Sequence, residues 1–137
     1  MRRELFFKQG RLSTGIDHLD TQHWELYRKA QYLNLLMSRE DTFLEAARVF
    51  ACLVQETTNH FKDEEALFGN LPQGVAKLHL KEHKKLLCEM MRFARDLQLG
   101  DQHDHYQAYL RIDRMLERHF STHDQAFKKF IPQAIAS

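Results

Sequence analysis

The sequence predicts an all-α protein, an up-down-up-down antiparallel four-helix bundle that follows an N-terminal arm. Four stretches place apolar residues at alternating steps of three and four, the spacing that lines one face of a helix. Only five glycines and two prolines interrupt the 137 residues, so long helices are expected. Short polar segments separate the four stretches, which is typical of antiparallel neighbours in a bundle.

The N-terminal segment, residues 1–18, lacks a sustained period and is predicted to form the arm, with turns at Gly10 and Gly15. Residues 19–131 are predicted to form the bundle, and residues 1–137 a single domain. A chain of this length can bury one hydrophobic core without help from disulfides.

The first two predicted helices are separated by a polar segment, residues 38–41, and Asp41 or Thr42 is the candidate N-cap of the second helix. The inward-facing residues of the first helix are Leu19, His23, Leu26, Ala30, Leu33 and Met37. Those of the second are Phe43, Ala47, Phe50, Val54, Thr57, Phe61, Glu64 and Phe68, with His60 one position before Phe61.

The third and fourth helices are bounded by segments 69–74 and 100–104, and Pro132 is expected to end the fourth. The inward-facing residues of the third helix are His79, His83, Leu86, Met90, Phe93 and Leu97. Those of the fourth are Tyr109, Ile112, Leu116, His119 and His123.

Composition excludes several classes of function. The net charge is +1 with basic and acidic residues mixed, so no basic surface for nucleic acid or an anionic membrane is expected. No apolar run could span a bilayer, and the stretch Leu5–Phe7 is too short for a signal peptide, which favours cytoplasmic residence. Cys52 and Cys88 lack a C-x-x-C pairing and are predicted to be small buried residues.

Every apolar stripe runs into ionisable residues near one end of its helix. His23 lies near the start of the first helix, His60 and Glu64 near the end of the second, and His79 near the start of the third. His119 lies near the end of the fourth. These positions share one end of an up-down-up-down bundle, so the side chains are predicted to meet at one level of the core.

A buried cluster of this kind predicts a metal centre. Each uncompensated buried carboxylate or imidazole costs several kcal/mol, against a typical total stability of about 5–15 kcal/mol. Seven ligands, with Asp124 and His83 included, exceed a tetrahedral zinc site. Because imidazole suits iron and carboxylates can bridge two ions, a pair of irons is favoured.

The step of five from His119 to Asp124 fits an ideal helix poorly, because it separates them by about 140°. Either the last turn is distorted, as in a π-bulge, or Asp124 reaches sideways. His123 is the alternative ligand. Glu65 and Glu82 are predicted to face the surface.

Four ordered motifs resemble those of the hemerythrin family. Residues 15–23, GIDHLDTQH, resemble the first-helix signature, and residues 60–65, HFKDEE, resemble its H-F-x-x-E-E motif. His79 and His83 match H-x-x-x-H, and His119 with Asp124 matches H-x-x-x-x-D, which shares the unusual step of five.

The resemblance implies reversible O2 binding between two irons, without enzymatic activity. His79, His83 and His119 would hold one iron, and His23 and His60 the other, which keeps an open position for O2. Glu64 and Asp124 would bridge the pair together with an oxo or hydroxo group. The O2 pocket would be lined by Leu26, Phe61, Met115, Leu116 and Phe120. The family commonly has Trp and Ile where this chain has Met115 and Phe120, which implies a repacked pocket.

Other interpretations remain open. The same site could act as a peroxidase or in nitric oxide chemistry, or it could sense O2 or iron for a signalling or redox partner. His79, Glu82 and His83 also match the H-x-x-E-H pattern of a zinc protease, which leaves the other motifs unexplained. A ferritin-like oxidase is excluded because the sequence lacks Glu-x-x-His pairs. An inert helical bundle is the remaining alternative.

Overall fold

The computed structural model describes residues 13–99 and 105–131. These residues form five α-helices: α1 (Asp17–Met37), α2 (Phe43–Glu65), α3 (Gln73–Gln98), α4 (His105–Ser121) and the short α5 (Gln125–Phe130). Single 3-10 turns at Glu40–Thr42 and Phe68–Asn70 join α1 to α2 and α2 to α3.

The four long helices pack in a ring, α1 against α2, α2 against α3, α3 against α4, and α4 against α1. This arrangement confirms the predicted all-α four-helix bundle. Most of the predicted arm, Gly10 and Pro132 lie outside the described residues, as does the segment 100–104 between α3 and α4. No helix in residues 13–99 or 105–131 combines the length and apolar character that a membrane span requires.

The first helix begins at Asp17, two residues before the predicted boundary, and a buried carboxylate fixes this start. Gly15 has φ 81°, a left-handed turn that favours glycine, as predicted. Asp20, buried in the first turn of α1, accepts hydrogen bonds from the Thr14 backbone N–H at 2.7 Å and from the Ser13 hydroxyl at 2.7 Å. The carboxylate thus holds the incoming chain against the helix start.

The second helix starts at Phe43, with Thr42 as its N-cap residue. The Thr42 hydroxyl does not cap this helix. It donates to the Leu36 carbonyl at the end of α1, at 2.7 Å, and so ties the two helices together.

The apolar interior is divided into two clusters. The larger core includes Phe50, whose ring meets that of Phe93 edge to face at 4.9 Å. The smaller end cluster closes the opposite end of the bundle and consists of Ile16, Leu19, Leu71, Phe127 and Ile131. The metal-centre candidates lie between the two.

Cys52 and Cys88 are exposed, so the prediction that they are buried was wrong. Each stands two positions beyond a buried residue, Phe50 and Leu86 respectively. A step of two turns a side chain about 200° around the helix, away from the core.

Candidate metal centre

All seven predicted ligand residues are buried at one level of the bundle. Each is at most 1% exposed. They come from every long helix and from the turn after α4: His23 from α1, His60 and Glu64 from α2, His79 and His83 from α3, His119 from α4, and Asp124 from the turn.

Among the described residues, two groups of side chains could hold a metal ion. One group contains His79, His83 and His119, and the other contains His23 and His60. Both groups include Glu64 and Asp124, and within each the ligand atoms all lie within 4.8 Å of one another.

The Glu64 carboxylate reaches both groups of histidines. Its Oε1 lies 2.8 Å from Nε2 of His83 and 3.4 Å from Nε2 of His79. Its Oε2 lies 2.9 Å from Nε2 of His60 and 3.3 Å from Nε2 of His23. One oxygen therefore faces each group.

The Asp124 carboxylate divides in the same way. Its Oδ1 lies 2.6 Å from Nε2 of His79 and 3.0 Å from Nε2 of His119, whereas Oδ2 lies 2.9 Å from Nε2 of His23. Two carboxylates that each present one oxygen to either group form the donor set that a pair of bridged cations requires.

Several buried polar atoms in the cluster face one another without hydrogen bonds. Within residues 13–99 and 105–131, Nε2 of His60 and His119 and Oδ2 of Asp124 have no hydrogen-bond partner, although each lies within about 3 Å of an oppositely charged or polar atom. Because buried polar atoms are normally satisfied, a self-contained hydrogen-bond network explains the cluster poorly. Nitrogen and oxygen atoms whose lone pairs point towards the same space are the arrangement that bound cations require.

The two carboxylates favour the protonated forms of His23 and His119 in the metal-free chain. Burial disfavours a charged imidazole, but Asp124 and Glu64 outweigh it and raise the pKa of His23 to about 9 and that of His119 to about 10. Burial dominates at His60, whose pKa is lowered. Burial also opposes ionisation of both carboxylates, yet the surrounding imidazoles lower their pKa values. A metal ion must displace the imidazole protons, so its binding releases protons.

The awkward step from His119 to Asp124 is explained by a break in the fourth helix. Helix α4 ends at Ser121, and the Asp124 backbone N–H donates to the His119 carbonyl at 3.1 Å, across five residues. This wider turn confirms the predicted distortion. His123, the alternative ligand, belongs to neither group.

Two histidines are oriented by side chains at their outer nitrogens. Gln22 Oε1 lies 2.6 Å from His60 Nδ1, and the Gln22 amide donates to Asp63 at 2.6 Å. Glu65 Oε2 lies 2.8 Å from His83 Nδ1. Acceptors at Nδ1 favour the tautomer that leaves the Nε2 lone pair free for a cation.

Glu65 was therefore wrongly predicted to serve only the surface. Although it is rotated about 100° from Glu64 on α2, it reaches the neighbouring helix and contacts His83. Glu82 is half-buried rather than fully exposed, belongs to neither ligand group and lies 4.0 Å from His123.

Aromatic rings cover the histidines. Phe61 stacks on His83 with ring centres 3.8 Å apart, and Phe120 stacks on His23 at 4.2 Å. Phe68 and Phe127, which the sequence did not assign to the site, lie 4.8 Å and 5.3 Å from His79. Of the predicted pocket residues, Leu26, Phe61, Leu116 and Phe120 are buried, whereas Met115 is half-buried against the same core.

Comparisons with known proteins agree with this geometry. A family model described as the hemerythrin HHE cation binding domain matches residues 14–131. The bacteriohemerythrins of Campylobacter jejuni subsp. jejuni serotypes O:6, O:2 and O:23/36 are each 30% identical over 79 residues. These matches span 58% of this chain and 59% of each relative's length. No solved structure shows a significant match.

Proposed function

Because this chain belongs to the hemerythrin family, we propose that it binds O2 reversibly at a non-haem di-iron site in its bundle. The observation that carries the proposal is the division of each carboxylate between the two histidine groups. Glu64 and Asp124 each present one oxygen to either group, as bridging ligands of a metal pair would.

The unequal number of histidines defines two different metal positions. His79, His83 and His119 would hold one iron, and His23 and His60 the other, with an oxo or hydroxo group completing the bridge. The position with two histidines has fewer protein ligands, so it is the one we assign to O2. Two ferrous ions bound at these positions would supply the electrons that O2 binding requires.

The surrounding side chains would keep the O2 position dry. Leu26, Leu116 and Phe120 are each at most 5% exposed, and the Phe120 ring covers His23. An apolar pocket of this kind excludes water and protons. Both would otherwise turn the bound O2 into a product that leaves the site irreversibly. We further propose that the protein is cytoplasmic, in line with its two free cysteines.

The test is a spectrum of the iron-loaded protein. After anaerobic reduction, exposure to air should produce a ligand-to-iron charge-transfer band that disappears when O2 is removed and returns on a second exposure. Irreversible oxidation on the first exposure would contradict O2 carriage and favour peroxidase, nitric oxide or sensing chemistry at the same site.

The residues behind the histidines provide a separate prediction. Glu65→Ala should weaken metal binding about 10–100-fold, because His83 loses the acceptor that orients its ring. Competition with a chelator measures this change. Glu65→Gln keeps an acceptor oxygen and should lose less metal affinity than Glu65→Ala. Equal metal affinities for Glu65→Ala and the unsubstituted protein would show that Glu65 does not support the site.

A further inference from the structure

One layer of the core lies directly beneath the metal-centre candidates, and each long helix contributes one residue to it. Leu26 follows His23 by three positions, and Leu86 follows His83 by three. Thr57 precedes His60 by three, and Leu116 precedes His119 by three. In antiparallel helices, these opposite offsets lead to the same depth, about 4.5 Å along the axis from each histidine.

Thr57 is the polar member of this layer. All four of its residues are buried, and Thr57 is 0% exposed. Its hydroxyl oxygen has no hydrogen-bond partner among the described residues. The adjacent Thr58 behaves in the ordinary way, because its hydroxyl donates to the Val54 carbonyl one turn earlier, at 2.8 Å.

The helix geometry turns Thr57 towards the site. Glu64 follows it by seven positions, so the two side chains leave α2 within about 20° of the same direction. His60 and Phe61 leave the helix on either side of that direction, by about 60° and 40°. Thr57 therefore leaves α2 between His60, of the two-histidine group, and Phe61, whose ring stacks on His83 of the other group.

An unpartnered buried hydroxyl destabilises a fold, and valine would fill the same volume without that penalty. The hydroxyl at this position therefore has no explanation in folding. Its place beside His60, one of the two histidines of the less liganded metal position, suggests a partner that is present only when the site binds a ligand.

Building on the proposed function, we propose that the Thr57 hydroxyl donates a hydrogen bond to a small ligand at the open metal position. The ligands that fit are O2 and compact anions such as azide, which carry an acceptor atom at the end remote from the metal. A donor in an otherwise apolar layer stabilises the negative charge of such ligands and retards their departure.

The experiment compares Thr57→Val with Thr57→Ser and Thr58→Val in the iron-loaded full chain. Thr57→Val should weaken azide binding to the oxidised protein and speed O2 release from the oxygenated protein, each about tenfold. Thr57→Ser keeps a hydroxyl, so its azide affinity and its rate of O2 release should stay within a few-fold of those of the unsubstituted protein. Thr58→Val should give the same values as the unsubstituted protein.

A second measurement does not depend on metal. In urea, metal-free Thr57→Val should unfold at a higher midpoint than the unsubstituted protein, because the substitution removes an unpartnered hydroxyl. A lower midpoint would mean that the hydroxyl has a structural partner and would overturn the inference. Unchanged azide affinity in Thr57→Val would overturn it as well.

These outcomes separate the inference from the proposed function. An unsubstituted protein that holds iron and binds azide, but not O2, would contradict the proposed function alone, while an azide defect in Thr57→Val would still support the hydrogen bond. A chain that takes up no iron would overturn both.

Discussion

A Glu64→Ala protein is expected to lose both metal ions together. The Glu64 carboxylate lies 2.9 Å from Nε2 of His60 and 2.8 Å from Nε2 of His83, and it belongs to both ligand groups. Its removal also leaves Asp124 as the one carboxylate in the two ligand groups of the described residues, so two cations would lack charge compensation. Elemental analysis should find about two irons per chain in the unsubstituted protein and almost none in the variant.

The matched control is Glu82→Ala. Glu82 lies on α3 between His79 and His83 but belongs to neither ligand group, so this variant should keep its full iron content. Metal analysis of the unsubstituted protein also tests the zinc-protease interpretation, in which His79 and His83 would hold one zinc and Glu82 would be the general base. One zinc per chain in the unsubstituted protein, or iron loss in Glu82→Ala alone, would contradict the di-iron site.

Phe120→Ala should shorten the lifetime of the oxygenated protein by more than about tenfold, because it opens the covered side of His23 to water. The Phe120 ring lies 4.2 Å from the His23 ring and 6.2 Å from that of His60, and the residue is 5% exposed. The substitution should also cost about 3–5 kcal/mol of stability, as is usual for a buried Phe→Ala change. Decay of the charge-transfer band in air measures the lifetime.

Phe93→Ala separates the pocket from general loosening of the core. Phe93 is 4% exposed and lies ten positions from His83 on α3, about 15 Å along the helix axis. Its loss should destabilise the protein to a similar degree without changing the lifetime. If both variants shortened the lifetime equally, Phe120 would have no special role at the site.

The architecture and the positions of the candidate ligands could be predicted because both depend on helical spacing. His79, His83, Leu86, Met90, Phe93 and Leu97 are all buried, as their shared stripe predicts. In an antiparallel bundle the start of one helix lies beside the end of the next. Histidines at these matching ends therefore lie at one level. No long-range information beyond the antiparallel order is needed for that step.

Glu65 and Thr57 show what spacing alone does not reveal. A helical position predicts a direction but not how far a long side chain reaches, so the contact between Glu65 and His83 on a neighbouring helix was missed. Thr57 was correctly placed in the core stripe, but only the three-dimensional structure reveals that its hydroxyl has no hydrogen-bond partner in the part of the chain that is described.

The two cysteines were mispredicted because residue type was given more weight than register. Cys52 and Cys88 are off the stripes of their helices and are exposed. The apolar residues close to them in sequence lie on the opposite face of the same helical turns.

The break after Ser121 couples helix α5 to the contents of the site. Asp124 stands at the junction, bonded to the His119 carbonyl, and α5 follows at once with Phe127 buried 5.3 Å from His79. Docking of α5 and occupation of the metal positions are therefore thermodynamically linked. A molecule that displaces α5 from the bundle would therefore lower the affinity for metal. Bound metal would strengthen the packing of α5 on the bundle by the same factor.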